Sequence, residues 1–145
     1  MASKISNEII KEIAEELDCG FRCYLNKTTH VLITIPDSDK LMSIDMSIWA
    51  TEINEVEKNF HNYFEIEQLD PGDSFVIMEQ FANSLKDSNE LKKLLLISLT
   101  KQKPFREFKF IIDNSGDYRQ KWFAFKKMKL EEWVINRLEV LNSTL

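Results

Sequence analysis

The residues from about Tyr118 to Leu141 constrain this chain most, because large apolar side chains recur through them at helical spacing. At about 100° per residue from Tyr118, one stripe holds Tyr118, Trp122, Phe125, Trp133 and Val140, between about −20° and +60°. A second holds Phe123, Leu130, Val134 and Leu141, near about 120° to 160°. Lys121, Lys127, Glu131, Glu132 and Glu139 lie roughly opposite and read as a solvated mixed-charge face. Arg119, Lys126 and Arg137 project to about 80° to 100°, between the two apolar stripes. A cation inside an apolar arc must extend out to water, pair with an acid or meet a ligand. This stretch therefore predicts a long final helix and marks three cations as candidates for binding.

The preceding stretch "KPFREFKFII" suits a short helix, since proline is accommodated in a first turn whose N–H groups lack partners. It sets Arg106 and Lys109 beside a stripe of Phe105, Phe108 and Ile112. "NSGD" separates it from the last helix. Towards the amino terminus, "SNEIIKEIAEELDCG" predicts an amphipathic helix capped by Ser6, with Ile9, Ile10, Ile13, Ala14 and Leu17 on one face and Gly20 as its stop. "FRCYL" and "HVLITIP", joined by "NKTT", predict a hairpin over about 21–36, and "YFEIEQL" a third strand over about 62–68. Between them, "MSIWATEINEVEKNF" places Trp49, Ile53, Val56 and Phe60 on one helical face. Asp73 is expected to cap a helix that buries Ile77, Met78, Phe81 and Leu85, and Ser88 to open one that buries Leu91, Leu94, Leu95 and Leu99. The expectation is an α+β fold. A single, mostly helical domain over residues 1–145 carries a small antiparallel sheet packed against five or six helices.

Composition bounds the class. With 43% hydrophobic and 30% charged residues, the 145-residue chain matches a globular domain able to bury a core. "MASKISNEII" lacks the basic and apolar regions of a secretory signal, and no apolar run has the length of a membrane span, so the expected place is the cytoplasm and the expected partners exclude a membrane. Charge is unevenly spread. Residues 1–100 carry 9 Lys and Arg against 18 Asp and Glu, whereas residues 101–145 carry 10 against 6. Such a split fits an anion-binding lobe, or two lobes that attract each other.

Catalytic signatures are missing from the pattern. His30 and His61 have no second histidine or cysteine at ligand spacing, and Cys19 and Cys23 lack the spacing of a zinc site, so neither a metal nor a cofactor is expected. No nucleophile elbow occurs, and three glycines do not build a phosphate-cradling loop. Glu15/Glu16 and Glu131/Glu132 are adjacent, so each pair diverges by about 100° on a helix and reads as a solvated face. No catalytic residue is assigned.

The runs "EELDCGFRCYLNKTTHVLITIPD", "DSFVIMEQF" and "KPFREFKFII…DYRQKWFAFKK…EEWVINRL" resemble the bacterial family catalogued as UPF0158. Its most specific stretch, a Phe-Arg-x-Phe-Lys core followed by an Arg/Lys-Trp-x-x-Phe core and a late Trp, falls on Phe105, Arg106, Phe108, Lys109, Lys121, Trp122, Phe125 and Trp133. The resemblance covers nearly the whole chain apart from residues 40–60, and implies a bacterial, cytoplasmic, single-domain protein without adding a catalytic residue.

Phe105, Phe108, Trp122, Phe125 and Trp133 are thus expected to form core, and Arg106, Lys109, Arg119, Lys126 and Arg137 a binding surface. The preferred function is a non-enzymatic interaction module that binds another protein or itself. The alternative is nucleic-acid binding by the same cations, since stacked aromatics beside cations are how single strands are held. The other reading of the cations is internal pairing with acids of the first hundred residues, such as Glu12, Glu16, Glu79 and Asp87. An enzyme built on a carboxylate cleft that only folding assembles is the remote third reading.

Overall fold

A computed structural model describes residues 4–143. The fold is α+β, with six helices and one three-stranded antiparallel sheet among the described residues. The chain divides into two compact units, one comprising residues up to Gln68 together with those from Leu130 onward, the other Leu69–Lys129.

The first unit opens with helix α1, Asn7–Asp18, where the Ile9 N–H donates to Ser6 Oγ at 3.2 Å. Its apolar face buries Ile13, Ala14 and Leu17. Gly20 follows at φ +91°, and a Cβ there would lie 3.0 Å from Leu41 Cγ, so backbone freedom and space both call for glycine. Strands β1 (Phe21–Asn26) and β2 (Leu32–Pro36) form the expected hairpin, and β3 (Tyr63–Ile66) pairs along the other side of β1, giving the order β2-β1-β3. The register puts Cys23, Leu25, Phe64 and Ile66 on one face. The Cys23 thiol there donates to the Ile13 carbonyl at 3.9 Å, which ties α1 to that face. On the opposite face Tyr24 and Ile35 form a cluster with Val56 of α2, Ala50–Lys58.

The second unit is helical: α3 (Pro71–Ser84), α4 (Glu90–Ser98), α5 (Pro104–Asp113) and the first turns of α6 (Tyr118–Ser143). Met78, Phe81, Leu95, Leu99, Phe108, Ile112 and Trp122 are core. The Trp122 ring stands 5.0 Å from Phe108 and 5.4 Å from Phe81, in the tilted and edge-on arrangements that aromatic quadrupoles favour. Asn89 Nδ2 donates to Tyr118 Oη at 2.8 Å, joining the starts of α4 and α6.

Several details differ from the sequence reading. Asp70, not Asp73, caps α3: its Oδ1 accepts the Asp73 N–H at 2.8 Å, and Pro71 takes the first helical position. Asn89 rather than Ser88 caps α4. Phe60 falls past the end of α2, in a short 3-10 turn, and is exposed. Leu94 is exposed as well, since it projects about 100° from Leu95, a fully buried residue of α4. On α6 neither stripe is buried along its whole length. Trp122 is buried in the first turns, whereas Leu130, Val134 and Leu138 are buried in the later ones, and Phe123 and Val140 are exposed. A helix whose buried side changes along its length has no single apolar face, so a projection over all its turns overstates each stripe.

Candidate binding surface

The positions of α5 sort cleanly around its axis. Relative to Phe108, the buried Ile112 and the half-buried Ile111 lie within about 60°. Phe105, Lys109, Asp113, Arg106 and Phe110 follow at about 60° to 200°, and all five are exposed. Phe110 is 68% exposed and Phe105 41%. Phe105 is therefore not the core residue its stripe suggested. Its angle is at the margin of the buried arc, and its place in the first turn leaves it at the end of the helix.

This face continues onto α6. Arg119 Nε lies 3.2 Å from Asp113 Oδ1, and its guanidinium sits 4.6 Å from the centre of the Phe123 ring, itself 39% exposed. Both partners of the ion pair are exposed, so it contributes little stability, and it fixes the guanidinium against the ring instead. Arg106 and Lys109 make no ion pair among the described residues. Residues 101–129 carry 9 Lys and Arg against 3 Asp and Glu. This stretch is thus strongly cationic, and Phe105, Phe110 and Phe123 are exposed along it.

Four of the five candidate cations, Arg106, Lys109, Arg119 and Lys126, lie in this unit; Lys126 is half-buried. Arg137 belongs to the first unit, where it lines a cleft of about 250 Å³ with Lys27, Phe60, Tyr63, Glu65 and Leu141. The acid that Arg119 meets is Asp113, six residues away, and none of Glu12, Glu16, Glu79 and Asp87. Asp87 pairs with Lys92, whose ammonium holds its carboxyl below the usual range. Phe110 and Phe123 are the site residues that sequence reasoning passed over. Phe110 had a visible signal, because it stands four residues after Arg106, on the charged side of α5 rather than the apolar one.

Among the described residues no group of three or more His, Cys, Asp and Glu gathers in metal-binding geometry. His30 sits in the hairpin loop at φ +59° and His61 in the 3-10 turn before β3. Burial pushes the Cys23 thiol up to about 12, with Glu16 and Glu12 adding to the effect, so it is a poor nucleophile.

The model of an uncharacterised protein family, UPF0158, matches residues 4–144. The chain belongs to the UPF0158 family. No curated protein and no solved structure matches it. The UPF0158 motif residues divide into two sets in this fold. Phe108 and Trp122 are buried and Phe125 and Trp133 half-buried, while Phe105, Arg106, Lys109 and Lys121 are exposed. Among the described residues of this UPF0158 protein no helix is long and apolar enough to cross a membrane.

Proposed function

We propose that this protein is a non-enzymatic interaction module of the bacterial cytoplasm, and that it binds a protein partner through the exposed face of α5 and the start of α6. One observation carries the reading: Phe110 and Phe123 are exposed in the same unit as Arg106, Lys109 and Arg119, with Arg119 held between the Phe123 ring and Asp113 of α5. A phenylalanine 68% exposed on a regular helix buries little in the free chain, whereas aromatic and arginine side chains are the residues that protein interfaces concentrate. The surplus of cations suits a partner that is acidic around an apolar centre.

A second reading, single-stranded nucleic acid, is favoured by the Arg119 guanidinium on the Phe123 ring, a pairing that base stacking and phosphate neutralisation could use. The acidity of the whole chain weighs against it, with a net charge of −5.

A photo-crosslinking residue in place of Phe110, introduced in the native host, distinguishes the readings. The expected product is a protein adduct that resists nuclease and disappears when Arg106→Glu and Lys109→Glu are added. Adducts no more abundant than those from the exposed helix position Glu15 would remove the proposal. A nuclease-sensitive adduct, with retention of short RNA that falls steeply as salt rises, would establish the nucleic-acid reading instead.

A further inference from the structure

The first unit holds a hollow that the α5–α6 surface does not use. It measures about 270 Å³ and is bounded by α1, the hairpin loop, β3 and the end of α6. Ile5, Ile10, Phe64, Ile135 and Leu138 supply apolar walls. Lys4, Lys27, His30, Glu139 and Asn142 supply the polar lining. We propose that this cleft binds a small amphiphilic carboxylate, with its apolar tail against Phe64 and Leu138 and its anionic head on Lys27.

The fold holds Lys27 at this hollow. Its backbone N–H donates to the Asn62 carbonyl at 2.9 Å, which pins the loop to the start of β3. Asn26 Oδ1 accepts from the Thr28 and Thr29 N–H groups, each at 2.9 Å, and closes the loop from within. The Lys27 ammonium then stands 5.4 Å from the centre of the Phe64 ring, a ring only 6% exposed. Among the described residues no carboxylate pairs with Lys27. A cation set over a buried aromatic ring, without a counter-ion, at the mouth of an apolar hollow matches an anion joined to an apolar tail.

The rest of the lining narrows the class. Lys4 and Lys27 face a single acid of the lining, Glu139, so the balance favours a monoanion over a dianion such as a phosphate ester. His30 reaches this lining from a left-handed backbone, φ +59°, that glycine or asparagine adopts more readily. Its N–H donates to the Asn26 carbonyl at 3.0 Å, so the loop itself maintains that conformation. The hollow is slightly below the usual range of about 300–1,000 Å³ for small-molecule sites, which restricts the tail to medium length. The neighbouring cleft shares Lys27 and Phe64 but is lined further by Arg137, Glu65 and Glu67, so its charges balance and the net cation stays with the first hollow.

Titration of the whole protein with octanoate tests the site, with acetate supplying the head alone and octyltrimethylammonium the tail with opposite charge. Octanoate is expected to shift the backbone amide resonances of His30, Phe64 and Leu138 and to bind at least tenfold more tightly than either control. Lys27→Glu should weaken octanoate tenfold or more, and Ile135→Trp, which fills the hollow from an exposed helix position, should abolish binding. Both variants should keep the wild-type circular dichroism; if Lys27→Glu does not, Lys27→Gln gives the same test with a smaller change. The proposal is overturned if octanoate shows no saturable binding at millimolar concentration, if acetate binds equally well, or if binding persists in both folded variants. The crosslinking test at Phe110 addresses the other unit, so either result stands without the other.

Discussion

Cys19 and Cys23 stand four residues apart yet experience opposite environments, one exposed and the other buried against α1. Burial keeps the Cys23 thiol protonated, up to about 12, and the thiolate is the reactive form. Ellman's reagent should therefore titrate one thiol in the folded protein and two after denaturation; two equally fast thiols in the folded state would contradict this packing. The same shift sets a pH dependence. Below pH 9.0, the ordinary value for a thiol, both folded and unfolded chains carry the proton, so the full stability is present. Between 9.0 and about 12 only the unfolded chain releases it, and stability falls by up to about 1.4 kcal/mol per pH unit from this group. Tyr24, also raised to about 12 by burial, acts in the same direction. Urea midpoints measured at pH 8 and pH 10.5 should drop in the wild type and drop less in Cys23→Ala. Equal drops would assign the alkaline loss to other groups.

Elements were legible where a local rule and a periodic pattern agreed. Ser6, the hairpin, Pro104 and the long final helix all followed from residues that act within a few positions of themselves. Errors came where two local signals competed or where burial depends on what covers a residue. Asp70 and Asp73 both suit a cap, and the tie is broken by Pro71, which fits the first helical position only if Asp70 precedes the helix. Asp70→Ala should cost about 1 kcal/mol, as loss of an N-cap does, while Asp73→Ala should leave the melting temperature near wild type; the reverse order would restore Asp73 as the cap. Periodicity gave Phe105 and Phe123 an angle but not a cover and left Phe110 unassigned, so the candidate surface was visible as cations and not as rings. Trp122 is the opposite case, since Phe81 and Phe108 enclose it, and Trp122→Ala should cost about 3–5 kcal/mol by chemical denaturation. A change below about 1 kcal/mol would place that ring outside the core.

At the scale of the molecule, the division into two compact units left a mark at one boundary only. Asp70-Pro71-Gly72 follows Gln68/Leu69 directly, whereas no proline or glycine stands near Lys129/Leu130. The second boundary falls inside α6, whose residues run helical from Tyr118 to Ser143. The first turns of α6 complete the aromatic core of one unit through Trp122, and the later ones serve the unit that holds the sheet through residues from Leu130 onward. A continuous helix at the boundary makes a specific demand on the backbone there. Lys127 is exposed, so replacing its side chain removes little packing, but proline at that position deletes one helical hydrogen bond and collides with the Phe123 carbonyl. Lys127→Pro should therefore destabilise the protein by about 3 kcal/mol or more, while Lys127→Ala, the control for the side chain, should remain within about 0.5 kcal/mol of wild type. If α6 were instead two helices joined by a hinge near residue 129, the proline would be tolerated about as well as the alanine. Equal urea midpoints for the two variants would then show that α6 is interrupted near Lys127.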